Sequence, residues 1–482
     1  MTDSLLVKLY LGLPDADRRD VLKAMQADAF NRRPEVLRLL EYIEQFNGDK
    51  KRAPRSNRTF SKEAAYAFIH RDGKGKTRQQ TYDDARMRHL MTYAAEAIRN
   101  YLAWNNWQED ALGLALHRCK AMKKHGLDDL FEMELSKTRA KIEASPFRSI
   151  DYYYHRQALE LESWEFLRAK QRNNESNLQV VGDAFSAFVA VNTLRQGCAA
   201  LTQQTHGDDE LPIPYLAETL AMVESGAFAA YPAVETYYHA YKALTVQDND
   251  AGFAALKTDI AEHGSLFPDA ELRDLYILAI NFCIRRLNAG QRGYIKEAFD
   301  LYRDGLHRGV FLENGYLSRF TYRNILNLAL ALKEWDWALE YLHTFAQYLP
   351  PRERDNVYRY NLATYYFRRP EPEKALELLR HVEFRDILYN FDARRMLLRM
   401  FYEQESWHAL DSLLDSFAAY LKRHPKTGYH REMYHNLVRF TKKLLSLRPG
   451  DAKGREALKL DIEKTTHLAE REWLLGLLYS KP

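Results

Sequence analysis

The sequence predicts an all-α protein of antiparallel helical hairpins, and three observations carry that prediction. Its 482 residues are 46% hydrophobic and 28% charged but include only 21 Gly and 15 Pro, so long helix-forming stretches run with few breakers. Helix-sized segments alternate with short turn signals at Tyr231-Pro232, Asp248-Asn249, Phe267-Pro268, Asn288-Ala289-Gly290 and Gly315, the rhythm of stacked hairpins. Three small residues, Ala338, Ala375 and Ala409, recur at intervals of 37 and 34 residues in similar helical surroundings. A period of that size marks a repeated helix pair that buries its apolar face only against its neighbours.

From the N-terminus, Pro14-Asp15 opens a helix to about Ala29, and Pro34 opens the next through Phe46, each using Pro in a first turn where no amide donor is needed. Asn47 to Arg58 carries five basic residues with Gly48 and Pro54, the composition of a loop that cannot bury itself. Ser61 and Glu63 start a short helix to about His70, and a second loop, Asp72 to Arg78, follows. Asp83 caps a longer helix to about Trp104, whose residues Met87, Leu90, Met91, Ala94, Ile98 and Tyr101 keep the three-and-four spacing of an amphipathic helix. Long helices fill Asp110 to Thr205, with stops near Gly126, Ser145-Pro146 and Asn173-Asn174. The expected organisation is an N-terminal helical module over residues 1–105, a long-helix region over 106–206 and a repeat region over 207–482.

Within the repeat region, Ala338 is preceded by Leu326 and followed by Pro350, Ala375 by Ala363 and Tyr366, and Ala409 by Leu397 with Leu413 after it. Small residues let helix axes approach, and a neighbouring ring fills the space beside them. On these residues the stretch from about Asp269 to Pro425 resembles the tetratricopeptide-repeat family, although the family's usual Gly is absent throughout. A weaker unit centres on Ala298. The resemblance implies a right-handed superhelix of hairpins whose first helices line a concave binding face. It places Arg323, Asn327, Tyr360, Thr364, Arg368 and Arg394 on that face. Arg and Tyr anchor peptide and acidic ligands well, and the competing expectation is that these arginines pair with acids such as Glu383 or Asp386. Leu468 to Tyr479 reads as a terminal cap helix.

The three cysteines, Cys119, Cys198 and Cys283, are far apart and odd in number, so they make neither a disulfide framework nor a paired zinc motif, and a reducing, cytoplasmic setting is expected. No apolar run reaches the ~18 residues of a membrane helix. Gly73-Lys74-Gly75-Lys76-Thr77 lacks the earlier glycine of a phosphate loop, since position 70 is His70, and no apolar strand precedes it. No histidine pair has metal-ligand spacing, and no nucleophile elbow or His-Glu-x-x-His helix occurs. No cofactor, metal or enzymatic activity is therefore expected.

Charge is uneven. Residues 50–99 hold thirteen Lys and Arg against five acids, a local +8 in a chain of net +4, which leaves the remainder at −4. Such asymmetry is an electrostatic footprint for phosphate. The candidate nucleic-acid contacts are Lys50, Lys51, Arg52, Arg55, Arg58, Lys74, Lys76, Arg86 and Arg88. The order of short helix, turn and longer helix is that of a helix-turn-helix reader. Together with the repeats it resembles bacterial activators that join a winged-helix domain to a tetratricopeptide-like one, except that Asn105-Asn106-Trp107 leads straight into another helix where the wing should be. The sequence thus predicts a non-catalytic adaptor or scaffold for a protein or peptide, with a nucleic-acid-binding regulator as the alternative. Oligomeric state stays open.

Overall fold

In the computed structural model, residues 1–51, 60–71, 81–170, 177–204, 211–245, 249–380, 387–425, 428–448 and 450–480 are described. The chain is all-helical apart from one two-residue strand pair among these residues. Two compact units emerge, one of residues 1–146 with 150–189 and the other of 147–149 with 190–482. The expected first and second segments thus share one unit up to Val189.

The first unit begins with α1 (Leu5–Gly12), α2 (Asp15–Ala24), α3 (Pro34–Lys51), α4 (Lys62–Ile69) and α5 (Asp84–Glu109). Side chains of Ser4, Ser61 and Asp83 accept from the backbone amides of Val7, Ala64 and Arg86, satisfying donors that a helix start otherwise leaves unpaired. These five helices share one core of Tyr10, Val21, Leu39, Ile43, Ile69, Met87 and Ile98. α3 runs five residues beyond its expected end at Phe46, into the basic stretch. A single Gly48 costs a helix only about 1 kcal/mol, too little to stop one already propagating. α6 (Ala111–Lys124), α7 (Asp128–Glu143) and α8 (Ile150–Lys170) pack together, and α9 (Leu178–Gln204) follows. α6 starts two residues after α5 ends, so no strand wing follows α5.

The second unit continues through α10 (Leu216–Glu224) and then a series of hairpins. These are α11 (Pro232–Thr245) with α12 (Asp250–His263), α13 (Asp269–Asn288) with α14 (Tyr294–His307), and α15 (Arg319–Ala331) with α16 (Trp335–Phe345). Strands β1 (Leu312–Glu313) and β2 (Tyr316–Leu317) form the antiparallel link between α14 and α15. α17 (Arg354–Arg368) pairs with α18 (Pro372–Arg380), and α19 (Ile387–Glu403) with α20 (Trp407–Arg423). α21 (Gly428–Ser446), α22 (Ala452–Lys464) and α23 (Arg471–Ser480) end the unit. α23 packs on α21 and α22, where the sequence places a cap.

The repeated small residues fall on second helices. Ala298 in α14, Ala338 in α16 and Ala375 in α18 have no exposed surface, as does Ala363 in α17, while Ala409 in α20 is half-buried. Close helix contact is what these positions were expected to permit. Where the usual glycine is missing, the turns of α15–α16 and α19–α20 hold Lys333 at φ 63° and Glu405 at φ 53°. A side chain in that left-handed region costs about 1 kcal/mol, so packing of the hairpins holds both turns.

Candidate functional site

The first helices of successive hairpins lie side by side: α15 packs on α17, α17 on α19, and α19 on α21. Their shared face carries the most concentrated polar chemistry of the second unit. On α19, Asp392, Arg395 and Arg399 fall three and four residues apart and so on one stripe of the helix. The neighbouring buried residues Phe391, Ala393, Met396 and Leu398 anchor that helix in the core.

Asp392 is the hub. Its carboxylate accepts from Arg395 Nε at 2.7 Å, from Tyr434 of α21 at 3.3 Å and from the Tyr360 hydroxyl of α17. Burial would push this carboxyl up, but Arg395, Tyr360 and Arg323 outweigh it and hold it below the usual carboxylate range. Burial and the Asp392 charge keep the Tyr360 hydroxyl protonated far above its ordinary value. Arg395 also pairs with Glu470, which Arg399 contacts at 3.0 Å while reaching Glu403 at 2.7 Å. Both guanidiniums lie 5.4 Å from the Phe367 ring. Buried charges need this density of partners to remain charged.

Arg323 makes no direct ion-pair contact with this network; burial lowers its pKa, but Tyr360, Asp392 and the neighbouring tyrosines outweigh that and raise it. It is half-buried on α15, with its guanidinium 5.4 Å from the centroid of Tyr389 on α19. Arg319, one turn earlier, lies 5.9 Å from the same ring and pairs with Glu353 at 3.2 Å. The Tyr389 hydroxyl donates to the Arg319 carbonyl at 3.5 Å, and its ring meets Tyr360 edge-on at 4.7 Å. Helices two hairpins apart therefore touch across α17, which requires the row to curl toward this face. Among the described residues no carboxylate lies within ion-pair distance of Arg323. The nearest acid of the face, Asp392, already serves three donors. His430 of α21 is depressed from its ordinary value by burial and by the Arg323 charge, so it is neutral near pH 7 and adds no repulsion there.

The sequence-predicted face residues divide into three kinds. Arg323 is on the face, and Tyr360 is there as a buried strut of the Asp392 network. Asn327 and Arg368 are exposed on α15 and α17. Thr364 is buried, its hydroxyl turned back to the Tyr360 carbonyl at 3.0 Å, and Arg394 points to its own hairpin partner. Arg394 binds Ser416 at 3.1 Å and lies 5.0 Å from the Tyr420 ring, both on α20. Its neighbour Arg395 makes the inward contact, since one residue turns a helix by about 100°. Glu383 and Asp386 lie outside the described residues.

In the first unit, Arg86 sits 3.7 Å from Glu35 and Arg88 2.9 Å from Asp84. Arg86 also lines a cavity of about 560 Å³ with Arg33, Glu35, His70, Asp83 and His89. Lys50 and Lys51 end α3, and Arg52, Arg55, Arg58, Lys74 and Lys76 lie outside the described residues.

No family model, curated protein or solved structure matches the chain. Its function is therefore argued from its own geometry. No helix of the described residues is long and apolar enough to cross a membrane, and no group of His, Cys, Asp or Glu among them has the arrangement of a metal site. Sequence reasoning missed Tyr389, Asp392, Arg395, Arg399, Tyr434 and Glu470. The charged stripe at positions 392, 395 and 399, three and four residues apart on one helix, was the signal that could have found part of this set.

Proposed function

We propose that the second unit is a tetratricopeptide-like array acting as a non-catalytic adaptor, holding a protein or peptide against the face of α15, α17, α19 and α21. The observation that carries this reading is Arg323, a half-buried cation that no carboxylate of the described residues contacts directly, on a face whose other described inward-facing charges are in ion-pair contact. With its donor edge in no direct ion pair, such a group gives a binding surface a strong, directional anchor. The ring of Tyr389 and the exposed groups of Asn327 and Arg368 supply contacts around it.

The test is site-specific photo-crosslinking in the source cell. Benzoylphenylalanine at Asn327 or Arg368 should give the same discrete protein adduct, and the same residue at the exposed second-helix positions Glu340 and Glu377 should not. Equal labelling from both surfaces would remove the basis for this face. A second reading, nucleic-acid binding by the first unit, draws on the +8 charge of residues 50–99. It requires binding to duplex DNA that falls steeply with salt and disappears when Lys50, Lys51, Arg52, Arg55, Arg58, Lys74 and Lys76 are replaced by Gln.

A further inference from the structure

The face already contains one occupied carboxylate position, and the chain itself supplies the occupant. Glu470, in the turn before α23, is held at φ 53°, a left-handed conformation that ordinary side chains avoid. From there its carboxylate reaches back more than seventy residues to Arg395 and Arg399 of α19. Phe367 and Trp473 flank the guanidiniums, with Arg399 5.9 Å from the Trp473 ring. The motif is an arginine laid against aromatic rings and completed by a glutamate from another element. Such a guanidinium keeps its polar edge for an anion while its flat face rests on the ring.

Among the described residues, Arg323 repeats the first half of this motif without the second. Its guanidinium rests against Tyr389 as Arg395 rests against Phe367. Tyr360 and Tyr434 spend their hydroxyls on Asp392, so they do not complete it, and Arg319 is satisfied by Glu353. Resting on the adaptor reading above, we propose that Arg323 receives a carboxylate side chain, Asp or Glu, from the bound partner, at a position equivalent to the one Glu470 fills internally. The partner segment is thus acidic, and its carboxylate meets a planar donor fork beside the Tyr389 ring. A bidentate guanidinium–carboxylate contact fits this geometry. A phosphoryl group offers related oxygens, and the experiment separates the two.

The test is arginine footprinting of the full chain with phenylglyoxal, read by mass spectrometry at equal ionic strength in chloride, acetate and inorganic phosphate. In chloride, Arg323 should react faster than Arg395 and Arg399, which Glu470 holds. Acetate should slow Arg323 at least threefold while leaving the exposed Arg368 unchanged. In the variant Glu470→Gln, acetate should likewise protect Arg395 and Arg399, because it restores the missing carboxylate. Protection of Arg323 by phosphate but not acetate would overturn the carboxylate assignment. No protection by either anion, or equal protection of Arg368, would overturn the site. The adaptor reading is tested separately, since crosslinking from Asn327 and Arg368 does not depend on Arg323.

Discussion

Arg18 of the first unit and Arg323 of the second both sink between helices, and they end in opposite circumstances. Arg18 is 5% exposed and uses its whole fork: Glu44 at 3.0 Å, Asp15 at 2.6 Å and the Leu13 carbonyl at 2.7 Å. It ties α2 to α3 and has nothing left to offer a ligand. Arg323 is half-buried with a tyrosine ring beside it and, among the described residues, no acid in ion-pair contact. Burial of a cation thus marks a scaffold contact in one region and, on the proposed function, a receptor in the other, and satisfaction of its donors is what separates them.

That contrast can be broken by removing arginines of each kind. Arg395→Met should have the largest effect, about 3–5 kcal/mol, because it takes from Asp392 its directly bonded cation and leaves Glu470 with Arg399 alone, the two carboxylates being only 17% and 14% exposed. Hydrogen exchange in α19 and α23 should accelerate accordingly. Arg18→Met should cost less, about 1–3 kcal/mol, since Glu44 and Asp15 are 37% and 69% exposed and water takes over their solvation. Exchange in α2 and α3 reports it.

A smaller effect tests a satisfied pair that titrates. His239 of α11 lies 2.7 Å from Asp259 of α12. Its hydrogen bond to the Asp259 carboxylate raises its pKa, and burial opposes this less strongly. The folded pKa is above the unfolded value, so the pair's contribution is complete below about pH 6.5 and is lost as pH rises through the folded pKa, at under about 1 kcal/mol. Melting temperature should therefore fall between pH 6 and 9 by more in the wild type than in His239→Asn. Smallest are the turns. Lys333→Gly and Glu405→Gly should each stabilise by about 0.5–1 kcal/mol by relieving left-handed strain, seen as slower exchange in α16 and α20. A loss instead would mean that these side chains hold contacts outweighing the strain.

The all-helical fold was legible because hairpin rhythm and composition are local properties. Ser61 and Asp83 cap where their side-chain chemistry demands, and Pro14 and Pro34 open helices for the same kind of reason. The site was legible only in part. Arg323 and Tyr360 follow from repeat spacing, but Arg394 and Arg395 differ by a single residue, and spacing alone does not resolve which of two adjacent arginines faces inward. Glu470 was beyond reach, since its contact with α19 closes a loop of 71 residues from Arg399 that nothing local announces. That no carboxylate of the described residues contacts Arg323 directly was equally invisible, because absence of a contact depends on every element packed around it.

The most direct measurement is hydrogen exchange on α15, α17 and α19 in Arg323→Met beside Arg395→Met, because a chain of two units gives no single unfolding free energy. If Arg323 is a receptor that no carboxylate of the described residues contacts directly, its replacement by Met removes only the longer-range attraction of Asp392 and changes protection little, while Arg395→Met lowers it clearly in α19. Equal loss of protection in both variants would contradict the account and make Arg323 a structural arginine like Arg18.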